Sequence, residues 1–255
     1  MMIADWSQFL RIAHRGAAAL EPENTLLGIE AALRFGVEMV EIDVRRCRDG
    51  TLVVIHDDDL RRTAKVEGRV SEWTLPELRR LDVGKGERIP TLDEALALLR
   101  GRALVNLDQK QDDLTDALLA ALDRAGARDE TMLSGNARAT FDAFRQQAPS
   151  VRIALSIDAS PYDAPRILLG RLVAAGARGE AGRIIARARA SRVSWVTLQW
   201  HLATAPVVAR LKRAGLHVLT WTVDDPSTMR RLHAAGVDGI TSNRPDLLAG
   251  PTSAR

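Results

Sequence analysis

The chain has 255 residues, of which 46% are hydrophobic and only 4% aromatic, so it reads as one domain, residues 1–255, with an aliphatic core. Its 36 basic and 33 acidic residues leave a net charge of +3 spread along the sequence, without the Lys/Arg block that a nucleic-acid footprint requires. The single cysteine, Cys47, excludes an intrachain disulfide, and no apolar run is long enough for a signal peptide or a membrane span; a cytoplasmic location is expected.

Short aliphatic runs alternate with longer amphipathic ones, the pattern of βα units around a parallel sheet. A first strand is expected at residues 10–13, just before His14-Arg15-Gly16, and a helix at 25–35 that stops at Gly36. The second strand, 38–43, carries Glu41 and Asp43. The turn Asp49-Gly50 then sends a further strand, 51–55, back as a hairpin that ends at His56-Asp57. Residues 57–90 are polar and turn-rich, with a helical piece at 75–81, and read as an insertion after the second barrel strand, over the C-terminal mouth.

With the strands at 10–13 and 38–43, those at 103–108, 131–134, 152–156, 195–199, 217–222 and 239–241 make eight, the hairpin strand 51–55 standing apart. Helices are expected at 114–125, 137–147, 205–214 and 227–235, and two more within 158–192. Eight such units in this length match an α/β fold of the TIM (β/α)8 barrel type. An open doubly wound sheet is the alternative, though the glycine-rich turn that would hold a dinucleotide is missing.

A strand alternates its side chains, so Glu41 and Asp43 share one face, amid Met39, Val40, Ile42 and Val44, the apolar neighbours of a buried strand. Like charges side by side repel, and a hard cation with oxygen ligands is the simplest partner for them. Asp108 and Lys110 repeat the two-residue spacing at the next strand end. Since a barrel gathers its strand ends at one mouth, His14, Glu41, Asp43 and Asp108 should meet there. Three carboxylates with Arg15 and Lys110 describe a site for a cation plus an anionic group, and His14 and His56 could act as acid and base near neutral pH. The bland readings are an Arg15 paired with a carboxylate, a solvated Lys110, and an Asn24 or Thr25 that merely caps the first helix. His201, His217 and His233 are read as ordinary histidines.

The segments Ile12-Ala13-His14-Arg15-Gly16, Pro22-Glu23-Asn24-Thr25, Val40-Glu41-Ile42-Asp43-Val44, Val53-Val54-Ile55-His56-Asp57 and Ile89-Pro90-Thr91-Leu92 together resemble the glycerophosphodiester phosphodiesterase family. Trp221-Thr222-Val223-Asp224 and Gly236-Val237-Asp238-Gly239-Ile240-Thr241 are similar to its last two strands, so the resemblance runs from about residue 12 to residue 248. It implies a TIM barrel that binds one divalent cation, Ca2+ or Mg2+, through Glu41, Asp43 and Asp108, with His14 and His56 as catalytic residues. It also implies that Arg15 and Lys110 surround the phosphate, that Glu23 and Asn24 line the same mouth, and that Trp221 packs on the glycerol.

The implied reaction is hydrolysis of a small-molecule glycerophosphodiester to sn-glycerol 3-phosphate and an alcohol through a cyclic phosphate. The chain departs from the family in carrying Asp108 where Glu is usual, Asn243 where Asp is usual, and no aromatic residue after Ser134. Two alternatives are a lysophospholipase D-like phosphodiesterase, which would need an apolar groove, and a non-catalytic barrel that binds a phosphodiester.

Overall fold

The computed structural model describes residues 5–158 and 174–248. Nine strands occur in it: β1 (Leu10–His14), β2 (Met39–Arg46), β3 (Leu52–Val54), β4 (Leu104–Gln109), β5 (Thr131–Gly135), β6 (Arg152–Ile157), β7 (Trp195–Gln199), β8 (His217–Trp221) and β9 (Gly239–Ser242). All but β3 run parallel around a ring that closes where β1 pairs with both β2 and β9. This is the eight-stranded TIM barrel expected from the sequence.

The helices are α1 (Leu26–Arg34), α2 (Arg61–Ala64), α3 (Leu75–Leu78), α4 (Leu92–Leu99), α5 (Thr115–Ala125), α6 (Arg138–Gln147), α7 (Ala174–Ala190), α8 (Ala205–Arg213), α9 (Pro226–Ala234) and α10 (Pro245–Leu248). Of the two helices expected within residues 158–192, α7 is one; the stretch read as the other falls largely outside the described residues. Helix α4 is an addition to those expected, and its start is a capping box in which Thr91 and Glu94 satisfy each other's backbone N–H groups. No helix among the described residues is long and apolar enough to cross a membrane.

Strand alternation sorts the side chains into two environments. Val40, Ile42 and Val44 of β2 face outward into the aliphatic layer beneath the helices. Inside the barrel, Ile12, Met39, Leu104, Met132, Trp195 and Leu219 form an apolar floor. Two residues further along the same six strands stand His14, Glu41, Asn106, Ser134, Thr197 and Trp221, and all six line the cavity above that floor. The floor excludes water below, and the polar tier opens at the C-terminal mouth.

The hairpin is present and lengthens β2 by three residues beyond the expected end, because β3 supplies partners for Val44, Arg45 and Arg46. After it, residues 57–90 gather a separate apolar cluster in which Leu60, Val70, Leu78 and Ile89 pack with Cys47 and Val53 of the hairpin. Helix α3 stops at Leu78 rather than residue 81, since Arg80 and Leu81 bond back to Glu77 and Leu78, three residues behind, in a tighter turn. Gly16, at φ +80°, is required by a close approach: a Cβ there would lie 2.6 Å from the carbonyl carbon of Gly28.

Candidate active site

Strand register brings the carboxylates together. His14 pairs with Glu41 across β1 and β2, while Glu41 pairs with Asn106 and Asp43 with Asp108 across β2 and β4. Paired residues in neighbouring strands point the same way. As a result, ligand oxygens of Glu41, Asp43 and Asp108 all lie within 4.8 Å of one another. His56 arrives by the hairpin: the N–H of Ile55 donates to the Asp43 carbonyl at 3.0 Å, and Arg45 Nε donates to the His56 carbonyl at 2.8 Å.

Each imidazole is held by its Nδ1. His56 Nδ1 lies 2.7 Å from Asp57 Oδ1. His14 Nδ1 lies 2.7 Å from Asn243 Oδ1, and Asn243 Nδ2 donates to Asp224 Oδ2, also at 2.7 Å. Asp224 accepts as well from Ser242 Oγ and from the Asn243 backbone N–H, both at 2.8 Å. Burial, with Arg15 next in importance, lowers the pKa of His14, which favours the neutral ring.

The carboxylates carry opposed demands. Burial, together with the negative charges of Asp43 and Asp108, drives Glu41 well above the usual carboxylate range. Burial also raises Asp108, with Lys110 opposing it. Asp43 is pushed up by burial too, but Lys110 and Arg15 outweigh this and hold it below its ordinary value. Lys110 Nζ stands 3.0 Å from Asp43 Oδ1 and 2.5 Å from Asp108 Oδ2. Even so, Asp43 Oδ1 is buried and accepts no well-aligned hydrogen bond. An all-oxygen donor set with surplus negative charge and a free lone pair fits a hard divalent cation such as Ca2+ or Mg2+.

Arg15 sits at φ 52°. Its backbone N–H donates to Glu41 Oε2 at 2.9 Å, its Nε lies 3.1 Å from Asp43 Oδ2, and its Nη1 donates to Glu23 Oε1 at 3.0 Å. Asn24, also left-handed at φ 57°, is buried, donating through Nδ2 to Asp43 Oδ2 at 2.7 Å and accepting from the Asp43 N–H at 3.2 Å. Thr25, not Asn24, caps α1 by accepting from the Gly28 N–H. Asn24 therefore buttresses Asp43, while Glu23 holds the Arg15 guanidinium.

That cavity has a volume of about 570 Å³ and is lined by His14, Arg15, Glu41, His56, Asp108 and Lys110 on one side. Asn106, Ser134, Ser156, Thr197, Thr241 and Trp221 continue the wall. Sequence reasoning did not single out Asp224 or Arg62. Asp224 lies in a strand-end segment quoted only for its likeness, and Arg62 lies in the insertion, where no periodicity marks a side chain as inward.

The profile of the Glycerophosphoryl diester phosphodiesterase family matches residues 14–247, which is nearly the whole chain. The chain belongs to this family, and it is an enzyme of the phosphoric diester hydrolase class. It is 30% identical over 252 residues to a glycerophosphodiester phosphodiesterase of Caldanaerobacter subterraneus subsp. tengcongensis, covering 94% of this chain and 96% of that protein. Among solved structures, a glycerophosphodiester phosphodiesterase from Agrobacterium tumefaciens superposes with a TM-score of 0.76 at 27% identity, over 95% of this chain and 99% of that one. A phosphodiesterase from Oleispira antarctica, solved with the product sn-glycerol-3-phosphate, gives 0.78 at 25% identity, over 95% and 97%.

Proposed function

We propose that the enzyme hydrolyses glycerophosphodiesters to sn-glycerol 3-phosphate and an alcohol by acid–base catalysis with His14 and His56, aided by one divalent cation on Glu41, Asp43 and Asp108. The observation that carries this reading is the clustering of three carboxylates, Glu41 and Asp43 buried and Asp108 half-buried, beside two anchored imidazoles at one polar cavity above an apolar floor. The product bound to the Oleispira antarctica relative supports the substrate class.

A cation so held supplies positive charge to a phosphoryl oxygen and makes a neighbouring hydroxyl easier to deprotonate. His14 acts through Nε2. Asn243 must accept from Nδ1–H, because its amide nitrogen is committed to Asp224, so the lone pair of the neutral ring lies on Nε2. This nitrogen takes the proton from the glycerol hydroxyl next to the ester. As that oxygen bonds to phosphorus, the bond from phosphorus to the alcohol oxygen breaks, and His56 Nε2 gives the departing oxygen a proton. Arg15 and Lys110 face the charge that grows on the phosphoryl oxygens. Water then opens the cyclic phosphate, with His56 taking its proton and His14 returning one to the glycerol oxygen. Residues 1–255 are proposed to act as a single unit.

The test compares glycerophosphocholine with an analogue that lacks the neighbouring glycerol hydroxyl. The cyclic route predicts release of choline from the first and none from the second; ready hydrolysis of the analogue would instead mean direct attack by water.

A further inference from the structure

Arg62 lies in the four-residue helix α2 of the insertion, outside the cavity, yet all three of its guanidinium nitrogens are committed to carboxylates that hold active-site groups. Its Nη1 donates to Glu23 Oε2 at 2.8 Å and its Nη2 to Glu23 Oε1 at 2.6 Å. Its Nε donates to Asp57 Oδ2. On the far side of these carboxylates stand the reacting groups: Glu23 Oε1 accepts from Arg15 Nη1, and Asp57 Oδ1 meets His56 Nδ1. The chain His56–Asp57–Arg62–Glu23–Arg15 thus ties the hairpin end to the loop before α1 through a side chain that neither element supplies.

From this geometry we infer that Arg62 is a positioning residue, a planar fork that fixes the His56 imidazole and the Arg15 guanidinium relative to each other across the mouth. This rests on the roles given to His56 and Arg15 above.

The energetics favour a geometric role over a stabilising one. The Arg62 side chain is 50% exposed, and ion pairs of that exposure add little to folding. A guanidinium differs from an ammonium in holding several donors in one rigid plane, so it can set the angle between two carboxylates as well as neutralise them. Burial raises Glu23 and Asp57, but the hydrogen bonds and charge of their partners, Arg62 among them, bring both below their ordinary values. Both carboxylates are therefore acceptors at neutral pH and can hold Arg15 and His56 only as firmly as they are held themselves.

The test uses the full-length enzyme with Arg62→Ala and Arg62→Lys. Release of glycerol 3-phosphate from glycerophosphocholine gives kcat and KM, and 15N NMR of histidine-labelled protein reports the His56 ring nitrogens; five histidines keep the spectrum resolvable. For Arg62→Ala the expected result is a loss in kcat of roughly 10- to 100-fold, the scale of a small misplacement of reacting groups. The His56 ring signals should move while those of His14 stay, and added guanidinium ion should restore part of the rate. Arg62→Lys, which keeps the charge without the fork, should fall between Arg62→Ala and wild type.

Arg62→Ala turning over within about threefold of wild type would overturn the inference, since a loss that small is under 1 kcal/mol. So would a slow variant with unmoved His56 signals and no rescue. If Arg62→Ala does not fold, a fully active Arg62→Lys overturns it. A wild-type enzyme that releases no glycerol 3-phosphate would refute the function proposed above, while the His56 signals of the variants would still decide the role of Arg62.

Discussion

Asn243 Oδ1 lies 2.7 Å from His14 Nδ1, and the amide can present only its oxygen to the ring because Asp224 takes its nitrogen. The amide therefore accepts the Nδ1 proton and leaves Nε2 open to the cavity. Asn243→Leu should keep the barrel and lose about 10- to 100-fold in kcat, since the ring would lose its orientation. Asn243→Asp, which still accepts from His14 but loses the donor to Asp224 and sets two carboxylates side by side, should fall between Asn243→Leu and wild type. Steady-state kinetics of the two variants checks this: equal losses in both would detach Asn243 from His14 function.

The three carboxylates predict stabilisation by a divalent cation. Burial, and after it the negative charge of Asp43, raises both Glu41 and Asp108. A ligand that binds only the folded state stabilises by about 2.7 kcal/mol at a hundred times its dissociation constant. Differential scanning calorimetry with saturating Ca2+ or Mg2+ should show an upward shift for wild type and none for Asp43→Asn. A shift of the same size in that variant would place the cation elsewhere.

The floor of the barrel allows stability to be separated from catalysis. Trp195 is 6% exposed, stacks on His217 at a ring separation of 4.2 Å, and meets Trp6 edge-on at 6.0 Å. Arg152 in turn covers Trp6, 4.0 Å from its ring centre. Trp195→Ala should cost about 3–5 kcal/mol in urea unfolding. Its KM should not change, because Trp195 lies one inward step below the cavity residue Thr197. A large KM change at unaltered stability would contradict this arrangement.

Cys47 carries a pH prediction. Burial first, then the hydrogen bond and charge of Asp49, raise its thiol from 9.0 to about 11. Above pH 9 an unfolded chain gives up this proton while the folded one keeps it, so the folded state binds more protons and stability falls as pH rises through this window. The urea midpoint should therefore drop between pH 9 and 11, and less so in Cys47→Ala. At neutral pH the native thiol should react slowly with Ellman's reagent and quickly once urea unfolds the chain. Fast native reaction would show that Cys47 is accessible.

Much of the barrel was legible because its strands carry their period openly. Met39, Glu41 and Asp43 alternate with Val40, Ile42 and Val44, and that alternation alone put two carboxylates on one buried face. The hairpin announced itself through Asp49-Gly50. Helix α4 was less legible, since its eight residues are mostly apolar and only the pair Thr91 and Glu94 marks its start. The supports of the site were illegible for a different reason. Asp224 and Arg62 act through side-chain hydrogen bonds to residues of other segments, and no local pattern encodes such contacts. Glu23 and Asn24, expected at the mouth, are held by hydrogen bonds to Arg15, Arg62 and Asp43 that no local pattern announces.

The most direct measurement follows glycerophosphocholine by 31P NMR with chelator-treated enzyme, before and after restoring Ca2+ or Mg2+. sn-Glycerol 3-phosphate should accumulate only once the cation is returned, and Glu41→Gln should give none under either condition. Equal release with and without cation, or full activity in Glu41→Gln, would contradict the proposed mechanism.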